Sequence, residues 1–170
     1  MAETELQKFL VNHYKANILH YMDEHPGAFE EAIRLALGPE SPYAWRASWI
    51  LWSCMETNDA RIRPLVGDLI RNLTQVKENR QREWLIILQK MEIDEQYEGV
   101  LYDACVGIWE QVNKKPGVRL HAFRMMAKLA DKYPELAKEM AFLSQEHYLE
   151  SLSGGVRSIV TRMANRFDKA

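Results

Sequence analysis

The chain holds only two cysteines, eight glycines and six prolines in 170 residues, too few for a disulfide framework or a turn-rich β fold. Cys54 and Cys105 both fall inside apolar helical patterns, which suits reduced packing thiols. No apolar run approaches the ~18 residues of a membrane span. Glu3 and Glu5 stand where a secretory leader would carry positive charge, so no leader is expected and the chain reads as cytoplasmic. His-Glu-x-x-His, Cys-x-x-Cys, Gly-x-Ser-x-Gly and phosphate-binding glycine loops are all missing. His13 and His20 would sit ~10 Å apart along a helix, too far to share a metal. No metal, cofactor or catalytic residue is therefore expected. Strand-like alternation, low-complexity sequence and linkers are also lacking, so residues 1–170 read as a single domain.

What the chain does have is a period. Arg46, Arg82, Arg119 and Arg157 each open an apolar helix, at intervals of 36, 37 and 38 residues. Three positions after each Arg come Trp49, Leu85, Ala122 and Val160, and six after it Trp52, Leu88, Met125 and Met163. With the residue just before the Arg, these form one buried helical stripe. Ser41-Pro42, Asn79, Pro116-Gly117 and Gly154-Gly155 mark the starts of these B helices. An amphipathic A segment precedes each one: 28–37, 59–76, 94–113 and 134–152. In the third, Tyr97, Val100, Leu101, Ala104, Cys105, Ile108 and Val112 recur at steps of three and four. A further helix over 4–24 comes first and stops at His25-Pro26-Gly27. The period thus predicts four two-helix units, 28–57, 59–91, 94–132 and 134–167, behind an N-terminal capping helix within 1–25.

Arg-led B helices paired with A helices at a period near 37 residues resemble HEAT repeats, helical hairpins that stack into an α-solenoid; the resemblance covers 28–167. It implies an all-α fold of about four hairpins, a B layer lining the concave side, and a macromolecule-binding role. In that family an acidic residue about six positions before the Arg commonly pairs with it in a ladder. Here those positions are Glu40, Val76, Asn113 and Ser151, so only Arg46 is expected to find a carboxylate there.

Beneath the net charge of −2, the B helices sum to about +8 and the A segments to about −8, with the remaining −2 outside both. Positions five and nine after the repeat Arg lie one turn apart, away from the buried stripe. They are Arg124, Lys128, Arg162 and Arg166 in the last two repeats, and Leu51, Met55, Ile87 and Met91 in the first two. The concave face is thus expected to be apolar in its first half and basic in its second. Two readings of the apolar half stand: a bed for the N-terminal helix, or an open surface. The basic half is either a solvated face or a docking site. Trp45, Trp49 and Trp52 suit core packing or stacking on a ligand, while Trp84, aligned with Ser48, His121 and Ile159, is the tryptophan expected to be exposed.

These features favour a non-enzymatic scaffold that takes an acidic or amphipathic protein segment on Arg124, Lys128, Arg162, Arg166, Trp84, Ile87 and Met91. Nucleic acid is the other partner class, since HEAT-like DNA glycosylases also combine tryptophan and arginine with one acid. The B helices offer only Glu56, Glu83, Asp131 and Asp168 for that acid, three of them at helix ends. Adenylosuccinate lyase, a family built on a long-helix bundle, is disfavoured because its Gly-Ser-Ser-x-Met-Pro-x-Lys-x-Asn loop and the length for that bundle are both absent.

Overall fold

The computed structural model describes residues 2–168, and among them the only regular elements are helices. The backbone divides into two compact units, one ending at Leu65 and the other beginning at Val66.

The first unit holds α1 (Glu5–Asn12), α2 (Lys15–Glu24), α3 (Ala28–Leu37) and α4 (Pro42–Cys54), then a 3-10 turn, Arg63–Leu65. α3 packs along α4, and α1 and α2 also lie on α4. The single N-terminal helix expected over 4–24 is two helices. His13 and Tyr14 are both extended, and Tyr14 points out at 88 % exposure. Bending there buries Leu6 and Leu10 on one side and Ile18 and Met22 on the other. Phe9 stacks on Tyr21 across the bend at 4.4 Å, and His13 and His25 extend the stack at the helix ends, His13 on Phe9 at 4.3 Å and His25 on Tyr21 at 4.2 Å. Thr4 starts α1 through a reciprocal cap with Gln7, and Ser41 starts α4 by accepting from the Ala44 amide at 3.2 Å.

After α4 the chain does not enter a helix at Asp59 as the sequence suggested. Asp59 is buried and accepts from the amides of Glu56 and Arg61 and from the Arg61 guanidinium at 3.0 and 2.7 Å. Arg61 in turn lies flat on Phe29, 3.5 Å from its ring centre. The Arg61 hydrogen bonds hold the Asp59 carboxyl down at about 2. With Pro64 following, the second A segment becomes a turn and a short helix.

The second unit runs α5 (Val66–Asn72), α6 (Glu78–Gln89), α7 (Glu95–Glu110), α8 (Pro116–Ala130), α9 (Ala137–Phe142), α10 (Glu146–Leu149) and α11 (Gly154–Ala164), with 3-10 turns at Leu73–Gln75 and Pro134–Leu136. The Arg-led helices α6, α8 and α11 are neighbours in that order, and α7 packs on α8. The fourth A segment, expected as one helix over 134–152, is instead a 3-10 turn followed by α9 and α10. The breaks release carbonyls that the core uses. Trp109, fully buried, donates its indole N–H to the Leu143 carbonyl at 2.8 Å. No helix among the described residues is long and apolar enough to cross a membrane.

Candidate binding face on α8 and α11

The four repeat arginines have four different environments. Arg119 in α8 is fully buried. Its Nε donates to the Trp109 carbonyl at 2.9 Å, one Nη to the Ser151 hydroxyl at 2.9 Å, and the other to the Tyr148 carbonyl at 2.7 Å. The guanidinium also lies 4.4 Å from the Trp109 ring centre. It therefore binds the ends of two A segments, α7 and α10, whose last carbonyls lack helical partners. Ser151 occupies the position where the family pattern has an acid, so a hydroxyl receives the arginine of the preceding repeat. With no carboxylate near, burial lowers the Arg119 pKa.

Arg46, expected beside Glu40, donates instead to the His13 carbonyl at 3.3 Å, at the bend between α1 and α2. Arg82 pairs with its neighbour Glu83 at 2.5 Å, and Arg157 pairs with Glu146 at 2.7 Å on the surface. The shared position thus serves a different structural purpose in each repeat.

The predicted docking residues divide sharply. Trp84, Ile87 and Met91 are 2 %, 1 % and 1 % exposed, so they present no surface to a partner. Leu51 and Met55 are buried as well. The polar equivalents Ser48 and His121 make the position of Trp84 look outward, yet both of these are buried too. Ser48 returns its hydroxyl to the Ala44 carbonyl at 2.8 Å, and His121 Nδ1 meets the Gln89 amide at 3.2 Å. Polar side chains satisfied this locally can occupy a covered position. α6 is accordingly buried around most of its circumference, with Gln81, Leu85 and Leu88 on one stripe and Trp84, Ile87 and Met91 on another.

Trp45, Trp49 and Trp52, expected on the buried stripe of α4, are half-exposed, and Ala44, Ala47, Ile50 and Leu51 fill the core in their place. The indoles stack on the chain's own cations: Lys15 lies 5.5 Å from the Trp49 ring and 5.2 Å from the Trp52 ring, and Arg46 lies 5.7 Å from the Trp45 ring.

The basic residues of α8 and α11 remain accessible, but they are not equivalent. Lys128 donates to the Gln89 and Met91 carbonyls at 3.0 and 2.8 Å, closing the C-terminal end of α6. Burial lowers its pKa. Arg166 pairs with Asp131, just past the end of α8, at 3.1 Å. Arg124 is half-buried and Arg162 exposed, and neither has a hydrogen-bond or ion-pair partner among the described residues. Both stand five residues after the repeat Arg on adjacent helices. The Arg124 charge also reaches His121, where burial first, then Arg124 and Arg82, pull the imidazole down to about 4. The surface beside Arg162 is an open depression formed by Gly154, Arg157, Ser158, Thr161 and Asn165.

Helical hairpins whose Arg-led members α6, α8 and α11 lie side by side in the second unit, with no strand among the described residues, define a helical repeat protein. Compared with known families, residues 2–167 match the HEAT repeat domain. The chain belongs to the HEAT repeat domain family. No curated protein and no solved structure matches it.

Proposed function

We propose that the chain is a non-catalytic cytoplasmic scaffold that holds an acidic segment of a partner protein across α8 and α11. Membership of a HEAT repeat family supports a scaffold. The observation that carries the site is the pair Arg124 and Arg162. Their flanking cations Lys128 and Arg166 are engaged by the chain itself, whereas these two are left without a partner among the described residues. Placing two unneutralised charges on neighbouring helices ~10 Å apart contributes nothing to packing, and carboxylates of a partner would complete them. Trp84, the tryptophan expected to be exposed for stacking, is buried, and the half-exposed Trp45, Trp49 and Trp52 lie on α4 against the chain's own Lys15 and Arg46.

The test is affinity capture from source lysate with the whole chain and with its Arg124→Glu/Arg162→Glu variant, each with and without nuclease. The expected result is a nuclease-resistant protein partner that the variant loses while its melting temperature holds. Nuclease-sensitive capture, with an affinity falling steeply as salt rises, would replace this reading with nucleic-acid binding. Undiminished capture by the variant would move the site away from α8 and α11.

A further inference from the structure

We propose that the cleft between α7 and the broken fourth A segment receives an arginine side chain from a basic segment of a partner protein. The cleft has a volume of about 430 Å³ and lies wholly within the second unit. It exists because α9 is six residues long and is preceded by a 3-10 turn, Pro134–Leu136, so the outer half of α7 is left uncovered. This site uses none of the arginines on α8 and α11 and stands independently of the reading above.

The lining is matched to a cation on an apolar stem. Glu95, Asp103 and Glu139 are exposed around the cleft, and none has an ion-pair partner among the described residues. Deeper in, Glu98 is 4 % exposed and accepts from Lys132 and Tyr133. Burial alone would raise its pKa, but those two hydrogen bonds and the Lys132 charge outweigh it, and the carboxylate stays ionised. Tyr102 is 7 % exposed, and its hydroxyl has only the Met140 thioether, 3.6 Å away, as a partner. A thioether is a weak acceptor, so the hydroxyl of this lining residue, turned to the buried Met140, is left short of hydrogen bonds. The Tyr102 and Tyr133 rings with Leu129 and Leu136 offer flat apolar walls.

A guanidinium stacks on such rings, donates in several directions at once and keeps its charge at any relevant pH, while its stem covers leucine. The surrounding A segments, at −5 over 94–113 and −3 over 134–152, attract it from a distance. Gly99 supplies the opening. A side chain there would meet nothing within 4 Å, so packing within the chain does not demand a glycine, which is unfavourable in mid-helix. Its absence of a side chain keeps the cleft accessible above Tyr102 and Asp103.

The experiment is an NMR titration of the whole chain with a blocked Gly-Arg-Gly peptide and with its citrulline counterpart, which keeps the shape and loses the charge. Saturable shifts should be confined to 95–103 and 133–139, and the citrulline peptide should bind at least tenfold more weakly. Glu95→Gln/Asp103→Asn/Glu139→Gln should weaken arginine binding by a similar factor, and Arg124→Glu/Arg162→Glu should leave it unchanged. Because Gly99 faces open space, Gly99→Leu should fold normally and fill the cleft, and it decides the matter if the triple variant does not fold. Equal binding of the citrulline peptide, unaltered binding by Gly99→Leu, or shifts spread over every acidic surface would overturn the proposal.

Discussion

α8 and α11 carry the same repeat signature, an Arg near the start and basic residues five and nine positions later, yet one is a core helix and the other a surface helix. α8 lies between α6 and α11 and on α7, and eleven of its residues are buried; α11 buries Val160 and Ala164. The same residue types therefore do different work. Arg119 is enclosed and bonds three groups, while Arg157 makes one ion pair in solvent. Lys128 closes the end of a neighbouring helix, while Arg166 forms a surface pair. Neighbours on both flanks, rather than the local sequence, set the worth of a repeat position.

The largest effect should come from Arg119. Arg119→Ala leaves buried carbonyls of Trp109 and Tyr148 without donors and should cost ~3–5 kcal/mol in urea unfolding. Arg157→Ala should cost ~0–1 kcal/mol, since its pair with Glu146 is exposed. Equal losses would mean that α8 and α11 are not distinguished by enclosure.

A second test uses pH. His121 in α8 is held at about 4, against 6.5 when exposed, mainly by burial. Between those values the unfolded chain takes up a proton that the folded chain refuses, so this contribution makes stability fall as pH drops from 6.5 to 4, by about 3 kcal/mol. The loss is complete below the lower value and absent above the upper one. His121→Gln should flatten that part of the profile in equilibrium unfolding. The equivalent position in α11 is Ile159 and cannot titrate. Persistence of the full slope in His121→Gln would place its origin elsewhere.

The smallest difference concerns the ninth position. Lys128→Met removes the cation from the carbonyls that end α6 and should cost about 1 kcal/mol. Arg166→Met should change stability by less than about 0.5 kcal/mol. Thermal melts of the two variants in low and high salt would sharpen the contrast, because Lys128 is held by two short hydrogen bonds to carbonyls while Arg166 makes a surface ion pair that salt screens.

These contrasts mark what could be read without coordinates. The stripes of α6 and α8 were legible, since Gln81, Leu85 and Leu88, and Val118, Ala122 and Met125, are all buried as their spacing indicates. The second covered stripe of α6 was not, because the satisfied Ser48 and His121 made its position look polar. The arginine-accepting cleft on α7 left only a faint trace in the sequence, a mid-helix Gly99 among acids and tyrosines. Its second wall depends on how the fourth A segment breaks.

The 36 to 38 residue period, the apolar spacing and the start signals at Ser41 and Pro116 determined by themselves that this chain folds as Arg-led helical hairpins. These are local signals, carried by residues within a few turns of each other. Tertiary structure alone decided which arginine is enclosed, which cation is left over and where the A segments break. Those outcomes depend on carbonyls and rings supplied by residues some thirty positions away, such as Ser151 and Tyr148 for Arg119. A repeat pattern fixes the spacing of its members, and only their neighbours in space fix how much solvent each one keeps.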